Sequence, residues 1–183
     1  MPFFETDTGK LVLHVVYDGA PYSGKTETVR ALGQIFDRPV ASPSEAAGRT
    51  LYFDWLEYEG GQRFGRPIVC RVITVPGQER FEERRAWLLG TADVVIFVAD
   101  SDPEMFPASV AKLEDLRGKL ARSERDVPIL LQLNKQDLPN ALPVDELLAA
   151  LDGEQIAHRL ATSALDGTGV RAMFVLAVSR AVR

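Results

Sequence analysis

The feature that most constrains this chain is a strand-like run, Leu11-Val12-Leu13-His14-Val15-Val16-Tyr17, that empties into Gly19-Ala20-Pro21-Tyr22-Ser23-Gly24-Lys25-Thr26. The next residues, Glu27 to Phe36, suit a helix. A buried strand, a G-x-x-x-x-G-K-T loop and a helix, in that order, make the frame of a phosphate-binding P-loop. Its glycines let backbone N–H groups turn inward around a polyphosphate, and the helix N-terminus adds the positive end of its dipole. Lys25 is expected at the β- and γ-phosphates and the Thr26 hydroxyl on Mg²⁺. Gly19, Ser23, Gly24 and Glu27 are the further contacts expected of the loop. The chain reads as a nucleoside triphosphate binder.

Strand and helix signals alternate through the rest of the sequence. Asp37 to Gly48, rich in Pro, Ser, Ala and Gly, reads as a surface loop. Thr50 to Tyr58 and Pro67 to Val75 read as a hairpin turned at Gly60-Gly61, and Phe81 to Leu89 as a short helix stopped at Gly90. Asp93 to Ala99 has the apolar character of a central parallel strand. Asp102-Pro103 opens a helix running to Arg122. Val127 to Leu133 and Ile156 to Ala161 read as strands, with a helix at Val144 to Leu151 between them. Val170, Met173, Phe174, Ala177, Val178 and Ala181 form one apolar stripe of a last helix. The expectation is a three-layer α/β fold, one domain over 1–183, with a six-stranded, mostly parallel sheet and one antiparallel hairpin strand. Ligands of such sheets sit at the C-terminal strand ends.

With 183 residues, 46% of them hydrophobic, the chain can build one proper core. A formal charge of −5 favours neither nucleic acid nor an anionic membrane as partner. Arg84-Arg85 reads as a solvated helix face. The single cysteine, Cys70, excludes an intramolecular disulfide and reads as a small core residue. Met1 to Glu5 lacks signal-peptide character, no apolar run reaches the ~20 residues of a membrane span, and neither end carries a lipidation motif. The expectation is a cytoplasmic protein without a membrane anchor of its own. His14 and His158 fall inside strand patterns and read as packed residues.

Asn134-Lys135-Gln136-Asp137 follows the strand ending at Leu133, on the ligand edge. A carboxylate at Asp137 can accept from the ring N–H and the exocyclic amino group of guanine, where adenine offers a lone pair; sites of this kind discriminate by roughly 10⁴–10⁵. Lys135 can lay its stem across the base, and Asn134 can tie this loop to the P-loop. Thr162-Ser163-Ala164-Leu165, after the last strand, can offer a backbone N–H to the guanine carbonyl. This motif disfavours a P-loop kinase or ATPase.

These motifs resemble the Ras-like small GTPases over nearly the whole chain, and among them the bacterial MglA family of polarity-switch GTPases. The finer resemblance rests on Arg49-Thr50-Leu51-Tyr52-Phe53-Asp54, Thr74-Val75-Pro76-Gly77-Gln78, Val98-Ala99-Asp100-Ser101 and Asn134-Lys135-Gln136-Asp137-Leu138-Pro139-Asn140-Ala141. It implies slow, Mg²⁺-dependent hydrolysis of GTP to GDP. Thr50 would bind Mg²⁺ and the γ-phosphate, Gly77 would sense that phosphate through its N–H, Gln78 would orient the attacking water, and Arg49 would act as a finger in cis. Ser163, Ala164 and Leu165 would complete the base loop. The implied partners are effectors at the switches and a roadblock-type activating protein that rearranges switch I.

The chain also departs from the pattern. Gly48 stands where an acidic residue is usual, Pro21 crowds the phosphate loop, and Leu165 replaces a lysine. Thr74 replaces the aspartate that steadies Mg²⁺ in most small GTPases. Alternation puts Thr50, Tyr52 and Asp54 on one strand face, so Asp54 is expected either to reach the metal once switch I or its strand slides or to be an ordinary solvated strand residue. Pro21 and Thr74 also support a second expectation, a hydrolysis-poor GTP-binding scaffold read by partners through its nucleotide state. Tyr52, Trp55, Phe81, Trp87 and Leu88 cluster around the switches, with Tyr52 and Phe81 expected at the surface.

Overall fold

The computed structural model describes residues 2–42, 53–75, 81–123, 125–152 and 155–182. In chain order the elements are β1 (Phe3–Phe4), β2 (Leu11–Asp18), α1 (Lys25–Phe36), β3 (Trp55–Arg63), β4 (Arg66–Thr74), α2 (Glu82–Thr91), β5 (Val94–Asp100), α3 (Phe106–Ala121), β6 (Ile129–Asn134), α4 (Val144–Ala150), β7 (Arg159–Ala161) and α5 (Val170–Ala181). The strands form one sheet in the order β3-β4-β2-β5-β6-β7. The pairs β2–β4, β2–β5, β5–β6 and β6–β7 are parallel, and β3–β4 is the antiparallel hairpin.

Two corrections to the expected sheet follow. A seventh strand, β1, pairs antiparallel with the start of β2 through Phe3↔Val12 and Phe4↔Leu11, beside the stretch of β2 that precedes its pairing with β5. The hairpin turns at Phe64-Gly65, not at Gly60-Gly61. Both turn residues have positive φ, 53° and 72°, as a two-residue loop matching the strand twist requires. Gly60-Gly61 instead accommodates a register shift between Glu59 and Gln62, a bulge within the ladder.

Helices cover both faces, which is why β5 is buried along its whole length. On one face Leu13, Val15 and Tyr17 of β2 pack with Val29 and Leu32 of α1 and Met173, Phe174 and Ala177 of α5. On the other, Val16, Phe97 and Leu131 pack with Leu88 and Leu89 of α2, Leu113 and Leu116 of α3 and Leu147 of α4. Cys70 belongs to the first cluster, and burial pushes its thiol up to about 12. The α2 helix continues through Gly90 to Thr91, so this glycine is not its stop. Asp102 accepts the Glu104 N–H at 2.9 Å, and α3 begins four residues later, at Phe106.

β2 is the strand from which the chain crosses first to β4 on one side and then to β5 on the other. It is the topological switch point of the sheet, and the loop leaving its C-terminal end lies where such sheets hold ligands.

Candidate functional site

The loop after β2 is shaped by two close approaches. A Cβ on Gly19 would stand 2.3 Å from the Val98 carbonyl oxygen, and one on Gly24 would stand 2.2 Å from Asn134 Nδ2. Gly24 also takes φ 97° as the residue before α1, so a side chain there meets both strain and collision. The Lys25 ammonium folds back over the loop and donates to the carbonyls of Gly19 (2.9 Å) and Ala20 (2.6 Å). Burial lowers its pKa to about 8, against the pull of the nearby Asp18 carboxylate. Ser23 Oγ is buried with no hydrogen-bond partner among the described residues. Glu27 turns outward to Arg30 at 2.6 Å, so any part it takes in this loop runs through its backbone.

Thr26 settles the place of Asp54. Its hydroxyl donates to Asp54 Oδ2 at 2.6 Å, and Asp54, only 4% exposed, also receives Ser42 Oγ at 2.9 Å. The Thr74 hydroxyl bonds Asp54 twice: Oγ1 accepts its backbone N–H at 2.8 Å and donates to Oδ2 at 3.3 Å. The carboxylate thus reaches Thr26 from β3's entry, and its burial overturns the alternative of an ordinary solvated strand residue. With its proton committed to Asp54, Thr26 Oγ1 turns its lone pairs away, the arrangement a hard cation such as Mg²⁺ needs. Hydroxyl and carboxylate oxygens fit that ion.

Asn134, the last residue of β6, joins three segments. Its Nδ2 donates to Ser23 O at 2.9 Å, and its Oδ1 accepts from Thr162 Oγ1 at 3.2 Å and Ala164 N at 3.0 Å. Within the 162–165 segment expected to offer a backbone N–H to a guanine carbonyl, the Ala164 N–H is thus given to Asn134. Lys135 adopts φ 67° and bonds Asp100 Oδ2 at 2.6 Å, which fixes its ammonium. Asp137 is exposed at a cleft of about 170 Å³ that Gln136, Thr162 and Ser163 also line. Leu165 is exposed at the end of that loop.

Arg49, Thr50, Gly77 and Gln78 lie outside the described residues, as do Gly48 and Tyr52. Of the aromatic group, Trp87 (68% exposed) and Trp55 (37%) reach the surface, Leu88 is buried and Phe81 is half-buried. The larger correction is Arg85. It is fully buried, with its guanidinium on the equally buried Asp18 at 2.6 Å. Neither was legible as a pair, since Asp18 lies one residue ahead of the motif and Arg85 adjoins a second arginine in the all-charged first turn of its helix. Asp100 was likewise missed as the partner of Lys135.

Residues 67–177 match the ADP-ribosylation factor family, Arf. Over 180 residues the chain is 34% identical to the mutual gliding-motility protein MglA of Myxococcus xanthus, a match covering 93% of this chain and 90% of that protein. It is also 34% identical over 171 residues to ADP-ribosylation factor-like protein 4D of Mus musculus, covering 87% of this chain and 78% of that protein. The fold matches the Arl6 BBS3 small GTPase of Trypanosoma brucei, solved with the bound nucleotide analogue GppNp. The TM-score is 0.69 at 25% identity, over 93% of this chain and 97% of that one.

Proposed function

The chain belongs to the Arf/Ras-like small GTPases, and from that membership we propose that it is a slow, Mg²⁺-dependent switch of the MglA kind. The observation that carries the reading is the Asn134 bridge. One side chain holds the P-loop through Ser23 and the 162–164 loop through Thr162 and Ala164. Phosphate recognition by Gly19, Ser23, Gly24, Lys25, Thr26 and the Glu27 backbone is thereby joined to base recognition by Asp137, the Lys135 stem and the Ser163–Leu165 segment.

Thr26 and Thr50 would ligate Mg²⁺, which supplies charge neutralisation at the phosphates. Asp54 would orient the Thr26 hydroxyl, the task left open where Thr74 stands. Gln78 and Arg49 would act on attacking water and developing charge, and Gly77 on the γ-phosphate. Similarity to a protein named for gliding motility supports a role in cell polarity or positioning, in the cytoplasm, with a roadblock-type activating partner and effectors at the switch segments.

The test is GTP turnover with and without a roadblock-type protein. Gln78→Leu and Arg49→Ala should each lower kcat about tenfold or more while nucleotide affinity stays within about threefold, because both act on transition-state charge. If both variants turn over at the parent rate, the chain is a hydrolysis-poor scaffold read through its nucleotide state.

A further inference from the structure

Asp18 and Arg85 are the driest charges among the described residues, and phosphate and base recognition give them no task. Both side chains are 0% exposed. Arg85, in the first turn of α2, sets Nη2 2.6 Å from Asp18 Oδ2 and Nε 3.0 and 3.2 Å from the two carboxylate oxygens. Its remaining nitrogen, Nη1, reaches Glu82 at 3.1 Å and Asp115 of α3. Glu82 and Asp115 in turn hold Lys112 and Lys119, so the buried pair is backed by a rim of four half-exposed or lightly exposed charges.

As pure packing this is a costly choice. An apolar pair of similar volume seats a helix on a sheet as well or better, because two charges must leave water. What an apolar pair could not do is the other bond Asp18 makes. Its Oδ1 accepts the Gly19 N–H at 2.8 Å, and the Gly19 carbonyl holds Lys25 at 2.9 Å. A guanidinium on α2, a carboxylate at the end of β2, the first P-loop peptide and the P-loop lysine form one hydrogen-bonded line. The carboxylate is also a hazard, since a fixed negative charge beneath a polyphosphate site repels the ligand unless something cancels it. Lys25 feels both members, raised by Asp18 and lowered by Arg85.

Resting on the reading of Gly19–Thr26 as the phosphate site, we propose that Arg85 is a positioning residue for nucleotide binding. It neutralises Asp18 and holds that carboxylate on the Gly19 N–H, so that phosphate affinity depends on the seating of α2 against β2. The pair is thus a link between the helix after the Gln78 segment and the loop that grips the phosphates.

The test is the affinity for a fluorescent GDP analogue, read beside denaturation midpoints, in the parent, Arg85→Met, Asp18→Asn and the double variant. Arg85→Met leaves a buried carboxylate unpaired and should weaken GDP about tenfold or more. Asp18→Asn removes the repelling charge and should tighten GDP about threefold, although it too lowers stability. The double variant should return to within about threefold of the parent. Opposite signs on affinity with the same sign on stability are what a merely structural pair cannot give. Parent-like affinity in Arg85→Met overturns the proposal, as does a double variant as weak as Arg85→Met, or an Asp18→Asn protein that binds no tighter than the parent. Should Arg85→Met not fold, the other two variants decide by the same criteria. A parent that binds no guanine nucleotide defeats the underlying reading instead.

Discussion

At the scale of single residues, Asp54 is a carboxylate that the fold sets between Thr26 and Thr74. The sequence puts a threonine at Thr74, where a carboxylate is expected behind the metal, and the fold brings one from the entry of β3. Asp54 then satisfies Thr26, Ser42 and Thr74 at once, so its burial leaves few unmet demands. If it orients Thr26 toward Mg²⁺, Asp54→Ala should raise the Mg²⁺ concentration for half-maximal GTP turnover about tenfold, while Asp54→Asn, which still accepts a hydrogen bond, should raise it less. A metal titration superimposable on the parent's would assign Asp54 to packing alone. Alternation along the strand was enough to single out this residue. It could not give the reach of the side chain, because that depends on β4 and α1 lying where they do.

Secondary elements were legible wherever one local signal decided them, and misread where two signals competed. The apolar runs of β2 and β5 and the stripe on α5 allow no second reading. Glycines do, because one residue serves turns, bulges and helices for different reasons. Gly65 sits in the hairpin turn at φ 72° with open space around a would-be Cβ, so its requirement is purely conformational. Gly90 lies inside α2 with the same open space and no left-handed φ. The two substitutions should therefore shift stability in opposite directions. Gly65→Ala should cost about 1–2 kcal/mol, the penalty of the left-handed region, whereas Gly90→Ala should add about 0.5–1 kcal/mol of helix propensity. Urea denaturation of both variants checks this, and a loss of stability in Gly90→Ala would mean the helix does not run through that position. Arg85 deceives for a related reason: a charged first turn with paired arginines looks solvated until the sheet end beneath it is known to carry Asp18.

Across the whole molecule, stability and binding meet at the C-terminal edge of the sheet, where the fold buries charge that its core would exclude. Lys25 gives this a measurable sign. Its pKa is near 8 in the fold and 10.5 when exposed, so between those values the unfolded chain binds more protons than the native one. Unfolding free energy should then rise with pH across that window, and Lys25 should contribute no slope below it, where both states are protonated. Groups whose pKa the fold raises oppose the trend at higher pH, the Lys10 and Lys119 ammoniums among them. Burial raises the Cys70 thiol from 9.0 to about 12, so above pH 9 the unfolded thiol ionises first and stability falls. The Tyr17 phenol, also raised by burial, adds to that loss above pH 10. The contribution of Lys25 is thus clearest between pH 8 and 9. Denaturation of protein stripped of nucleotide should show stability rising there, and Lys25→Met should flatten the rise while keeping the decline above it, since that variant retains Cys70 and Tyr17. A parent whose stability falls steadily from pH 8 would place the Lys25 ammonium in solvent rather than over Gly19 and Ala20.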